Sequence, residues 1–160
     1  MAKLSDLKLS YRLYMKGYIY RTFDWTPGAR LSKPLPEAKV ACVTTASYFL
    51  PDQEPFDESI RGGDFSYREI PSGANLPSMG LSHRSDAFDD KGLLADHNLA
   101  LPLDRLREME AAGEIGSVAP RHFSFQGSVP APGRLLKMSA PEVAGKLAND
   151  NVDVVLLTPA

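Results

Sequence analysis

Three short pairs hold the residues best suited to chemistry: Tyr67-Arg68, His83-Arg84 and Arg121-His122. An arginine guanidinium suits bidentate capture of a carboxylate. A histidine beside it can orient a ligand or shuttle a proton near neutral pH. Tyr67 adds a hydroxyl donor. Together they propose a small anionic ligand, with Arg84 and Arg121 on its carboxylate and His83 and His122 beside the reacting centre. The alternative is that each arginine caps a helix end or pairs with a surface acid.

Other chemistries find less support. His83, His97 and His122, with Asp86, Asp89 and Asp90, are the available metal ligands, but no spacing resembles a zinc or EF-hand site. There is no Gly-x-Gly-x-x-Gly, no P-loop and no Gly-x-Ser-x-Gly elbow, and Gly62-Gly63 is too short to cradle a phosphate. Cys42 lies within the best strand and reads as an inert small hydrophobe. It is the only cysteine, so no internal disulfide forms, which agrees with a reducing cytoplasm. No metal and no nucleotide cofactor is expected in the chain.

The elements that must position these pairs follow from pattern. The chain has 160 residues, 43% hydrophobic and 24% charged, with a net charge of −2. That fits one soluble domain and offers no cationic surface for nucleic acid or acidic lipid. No apolar run approaches a membrane span, and Met1 to Lys8 lacks the core of a signal peptide. An N-terminal arm is expected over residues 1–36 and an α/β core over 37–160.

Tyr11, Tyr14, Met15 and Tyr18 form one face of a helix, read as a docking stripe, and Trp25 reads as an anchor in the turn that follows. Lys39 to Thr45 is a central strand, with Thr44, Thr45, Ala46 and Ser47 at its carboxyl end, free to bond a ligand or close a turn. Asp64 to Ile70 reads as a half-buried strand. Gly80 to Gly92 is a polar loop, functional or solvated. Pro102 opens a helix with Leu103, Leu106 and Met109 inward, ended by Gly113. Arg121 to Phe125 reads as a loop or an edge strand.

Ser139-Ala140-Pro141-Glu142 is a capping box before a helix with Val143, Ala144 and Leu147 on its apolar face. Val152 to Leu157 then reads as a buried parallel strand, making half of a βαβ unit. The fold class is therefore α/β, an open, mainly parallel sheet with flanking helices. Ligands sit beyond the carboxyl ends of such strands. The final strand reaches its carboxyl end at Thr158-Pro159-Ala160, and the chain is expected to be incomplete there, a substrate-side scaffold with an unfinished sheet edge that favours self-association.

Several segments follow one another as in one family: Asp24 to Pro27, Gly63 to Pro71, Ser82-His83-Arg84, Pro102 to Leu106, Gly113 to Gly116, Ala119 to His122 and Val152 to Pro159. The chain resembles the selenoprotein B family of the glycine, sarcosine, betaine and D-proline reductases from about Tyr11 to Ala160. The resemblance implies reductive cleavage of the C–N bond of a small amino acid or N-methylated amine. It implies a selenocysteine or redox cysteine as nucleophile, a pyruvoyl group on a partner subunit, other reductase subunits, and a thioredoxin-type reductant. The redox motif of the family follows the segment matching Leu156 to Pro159. This sequence holds no residue there, and Cys42 does not match it, so no catalytic residue carries over and the chain alone is expected to be inactive. A UGA codon after Ala160, a separate chain for the remainder, or a short non-catalytic paralogue would each explain this. The competing reading is a small-anion-binding, regulatory or structural subunit.

Overall fold

A computed structural model describes residues 8–18, 24, 28–83 and 90–160. The expectations for Trp25, for Arg84 and for Asp86 and Asp89 fall outside the described residues. The chain falls into two compact units, Met1–Arg30 and Leu31–Ala160.

The first unit contains helix α1 (Leu9–Gly17), with Tyr14 and Tyr18 in ring contact at 5.8 Å between centroids. The periodic aromatic spacing produces the helix it implies.

The second unit is built on strands β1 (Lys39–Thr44), β2 (Tyr48–Phe49), β3 (Tyr67–Pro71), β4 (Gly80–Leu81), β5 (Ser117–Val118), β6 (Arg121–Phe125) and β7 (Val154–Thr158). Between them lie helices α2 (Lys91–Ala95), α3 (Leu103–Ala111) and α4 (Ala140–Asn149). β1 lies at the centre. It pairs in parallel with β7 along one side and with β5 and β6 along the other, while β3 runs antiparallel outside β6. β2 and β4 form a separate antiparallel pair. The sheet is thus mainly parallel, as its β-branched, nearly uncharged central strand requires.

Each face of the sheet has its own core. Val40 and Cys42 of β1 join Leu101, Leu103, Leu106 and Ile115 on the α3 side. Ala41 of β1 joins Phe123, Phe125, Val143 and Leu147 on the α4 side. Strand alternation sorts the residues to the two faces, and helices cover both. α3 ends as its sequence directs: Gly113 takes φ 71°, and the Glu114 N–H reaches back to the Met109 carbonyl.

Three expectations are corrected. Arg121 to Phe125 is neither a loop nor an edge but an interior strand between β1 and β3, with His122, Phe123 and Ser124 fully buried. The mixed composition misleads because both faces are covered: the two phenylalanines turn to α4, and His122 and Ser124 turn to the face of Cys42 and Ile70.

Ser139 does not cap a helix. It is itself helical, at the end of a π-turn over Leu135–Ser139, and its hydroxyl donates to the Phe65 carbonyl. Glu142 instead accepts from the Tyr67 hydroxyl. The turn already supplies hydrogen bonds to the first amides of α4, so the side chains serve tertiary contacts.

The third correction concerns β7. It pairs with β1 in parallel along its whole length, from Val40↔Val154 to Thr44↔Thr158, but it forms the edge of the sheet. Val155, Leu156 and Leu157 are 38%, 39% and 69% exposed. An apolar strand without charge, proline or bulge is an association template. Leu157→Lys is therefore expected to suppress concentration-dependent association, measured by light scattering across a dilution series. An unchanged profile would show that the edge is inert.

Candidate functional site

The carboxyl ends of β1 and β6 open onto a crevice of about 360 Å³. Val43, Phe125, Val129, Leu135 and Ala140 give it apolar walls, and Thr45, Gln126, Gly127 and Ser128 bring polar groups to its rim. Apolar walls with few polar groups at a strand carboxyl end suit a small organic ligand.

The turn after β1 fixes this geometry. Thr44 donates its hydroxyl to the Thr158 carbonyl (3.2 Å) and accepts from the Ala46 N–H (3.1 Å). Ser47 takes the left-handed φ of 61°, donates its N–H to the Phe125 carbonyl (3.0 Å), and accepts from the Gly127 N–H on Oγ (3.2 Å). The small hydroxyl residues at this end thus tie β1 to β6 and β7; Thr45 and Ala160 both line the crevice, and the Thr45 hydroxyl accepts the Ala160 N–H (3.0 Å) and donates to its carbonyl (3.4 Å).

Gln126 is 2% exposed. Its side-chain oxygen accepts the Asp64 N–H at 2.6 Å, and its Nε2 has no hydrogen-bond partner among the described residues. Asp64 sits in a turn made by Gly62 and Gly63 at φ 97° and 95°. A Cβ on Gly63 would come within 2.9 Å of the Val129 backbone, so only glycine lets this turn lie against the crevice loop. Burial pushes the Asp64 carboxyl up, but hydrogen bonds from Ser66 and Asp57 and the charge of Arg68 outweigh it and hold it below its ordinary value.

The residues named from sequence fall in different places. His83 lies at the crevice loop: a Cβ on Gly127 would come within 2.4 Å of its Nε2. Burial lowers its pKa, against the raising effect of Glu58. Arg68 is tied down, donating to the carbonyls of Glu54 (2.7 Å) and Pro55 (3.0 Å) with its guanidinium over the Phe56 ring. Tyr67 packs on Phe123 and donates to Glu142.

Arg121 lies at the amino end of β6, the far end from the crevice. It grips Asp150 with two nitrogens (2.6 and 3.0 Å) and Glu69 with a third (3.1 Å), and Lys146 also pairs with Glu69. Hydrogen bonds from Lys146 and Arg121 hold Glu69 below its ordinary pKa, and Arg121 does the same to Asp150. Carboxylates depressed in the fold stabilise it above their ordinary pKa and lose that effect as pH falls. Arg121→Met is expected to lower the thermal midpoint at pH 7 and to lessen its decline on acidification below about pH 4. Thermal scans at both pH values check this; an unchanged midpoint at pH 7 would contradict it.

His122 is buried on the α3 side of the sheet. Its Nδ1 accepts the Cys42 N–H at 2.9 Å, so the ring proton resides on Nε2. Burial, aided by the charge of Arg107, lowers its pKa from 6.5 to about 4. Cys42 is fully buried, and burial raises its thiol to about 11 despite a contact with Thr158. Such a thiol is a poor nucleophile. Among the described residues, no group of three or more His, Cys, Asp or Glu side chains could hold a metal ion, and no helix is long and apolar enough to cross a membrane.

Sequence reasoning missed Gln126 and the Asp64 contact that fixes it. The available signal was Phe125-Gln126-Gly127, a polar residue and a glycine just past an alternating strand, where ligands gather in parallel sheets.

The crevice lies beyond the carboxyl ends of parallel strands, the place where open α/β sheets gather ligands. The family model for glycine/sarcosine/betaine reductase selenoprotein B matches residues 4–160, and the chain belongs to that family. It is 33% identical over 157 residues to D-proline reductase subunit gamma of Acetoanaerobium sticklandii, covering 97% of this chain and 62% of that one. It is 26% identical to sarcosine reductase complex component B subunit beta of Peptoclostridium acidaminophilum. It is 28% identical to glycine reductase complex component B subunit gamma of the same organism. Each of these two matches covers 94% of this chain and 34% of the relative. The chain thus spans less than two thirds of the length of these relatives. No solved structure matches it significantly.

Proposed function

We propose that the chain is the substrate-side part of a reductase subunit of the glycine, sarcosine, betaine and D-proline reductase type. The family match over nearly the whole chain carries this reading. In the reaction a C–N bond of the substrate breaks and new C–H and N–H bonds form. A dithiol supplies two electrons and two protons as it closes to a disulfide. The crevice would hold the substrate, with His83 at its loop.

The 160 residues contain one cysteine, Cys42, which is buried with its thiol held protonated. On this reading the reactive selenium or sulfur would be supplied by polypeptide outside this sequence, and a pyruvoyl group by a partner subunit. Both belong to the assembled enzyme. The relatives are named as subunits, which supports a multi-subunit setting for this chain.

Turnover of D-proline, glycine, sarcosine and betaine with dithiothreitol tests the reading. The chain alone should give none. Activity should arise when it is combined with the partner subunits and the selenocysteine- or cysteine-bearing segment. Turnover by the chain alone, or none with any substrate in the complete mixture, would refute it.

A further inference from the structure

The geometry points to β7 as a dimer seam: its open edge pairs antiparallel with the same edge of a second copy of this chain, across a two-fold axis at Leu156. The inference is independent of the reductase reading.

The backbone sets the register. The Thr158 carbonyl accepts the Thr45 N–H (3.2 Å), so along β7 the main-chain groups of Val154, Leu156 and Thr158 turn to β1. Those of Val155 and Leu157 turn the other way, where no strand of the described residues lies. Outward donors stop at both ends of the strand. The Asp153 N–H is taken by the Lys39 carbonyl (2.9 Å), and Pro159 has no N–H. With the axis at Leu156, Val155 faces Leu157 of the second copy and Leu157 faces its Val155. Both are complete pairs that exchange two N–H···O bonds. Moving the axis to Val155 sets Leu157 against Asp153, and moving it to Leu157 sets Val155 against Pro159. Either way one donor of the pair is lacking.

The side chains agree with that register. Val155 and Leu157 are the partners of Ala41 and Val43 and lie on the α4 face, while Leu156, beside Cys42, lies on the α3 face. Paired residues share a face, so Val155 meets Leu157 of the second copy on one side and the two Leu156 side chains meet on the other. Charge selects the same occupant. Val154 to Thr158 carries none, so no like charges meet at the axis, and a strongly acidic or basic strand would find no counter-charge. The contact is small. Val155, Leu156 and Leu157 are 38%, 39% and 69% exposed, on the order of a few hundred Å² per copy against the ~800 Å² of a standard interface. The dimer is therefore reversible and forms at high protein concentration.

Cysteine cross-linking and hydrogen exchange test this on the full chain. Cys42→Ala removes the native thiol, which lies beside Leu156. In that background Leu156→Cys sets two thiols on the axis, at the ~4.5 Å Cα separation of a non-hydrogen-bonded pair, which a disulfide accepts. Val155→Cys sets them on a diagonal of roughly 7–8 Å, beyond its reach. Under mild oxidation Leu156→Cys should give a single linked dimer, at least about tenfold faster than Val155→Cys. Circular dichroism checks that both variants fold. In the wild type, which needs no substitution, exchange at the Val155 and Leu157 amides should slow several-fold as concentration rises, with the Leu156 amide little changed. Equal cross-linking of the two variants would mean contact without this register and would overturn the inference. Concentration-independent exchange at Val155 and Leu157 would overturn it too, leaving the edge to a strand of another polypeptide.

Discussion

Replacing Phe123 with alanine is expected to lower the unfolding free energy by about 3–5 kcal/mol, the range for emptying a large aromatic site in a core. Phe123 is fully buried on the interior strand β6. Its ring meets Tyr67 edge-on at 5.7 Å, and its cluster includes Ala41, Phe125, Val143 and Leu147. The strand is held between β1 and β3, so the backbone has little freedom to collapse into the void. The same loss removes support from Phe125, a wall of the crevice. Urea unfolding at pH 7 measures the effect. A loss below about 1 kcal/mol would show that β6 is not the interior strand described.

The second large effect is acid sensitivity from His122. Its pKa lies near 6.5 in the unfolded chain and at about 4 in the fold, because burial disfavours the charged ring. Between those values the unfolded chain binds a proton that the folded one does not, so stability falls as pH falls. The effect is absent above pH 6.5 and reaches about 3 kcal/mol at pH 4. His122→Asn can offer an oxygen to the Cys42 N–H but does not titrate. It should be less stable than wild type at pH 7, yet lose less between pH 6.5 and 4. Urea midpoints at several pH values decide this: equal slopes for the two proteins would contradict the burial of a neutral ring.

The pattern of residues reveals some layers of the molecule better than others. β1 was legible because a small, β-branched, uncharged run suits only a central parallel strand. α3 was legible from its spacing and Gly113, and α4 from its apolar face. The exposure of β7 was not legible, since local composition reports apolar character and not whether a neighbour covers it. The interior position of β6 was hidden for the opposite reason. His122 and Ser124 look like surface residues until the Cys42 N–H accounts for one of them.

The site was legible only in outline. The rule that ligands gather beyond the strand ends points to the crevice, whereas His83 was read only as part of a polar loop. The pairing of Arg121 with Asp150 and Glu69 does not, because those acids are 29 and 52 residues away in sequence. Gln126 was hidden because its significance depends on one partner, the Asp64 amide 62 residues earlier.

The account rests on a ligand lying in the crevice beyond β1 and β6 of a reductase subunit. The most direct test is turnover by the reconstituted enzyme carrying Ala140→Phe, which fills the crevice from the first turn of α4. Assembly should persist, shown by co-migration with the partner subunits, while kcat/KM falls by about tenfold or more. Wild-type kcat/KM in an assembled enzyme with the crevice filled would place the substrate elsewhere and contradict the account.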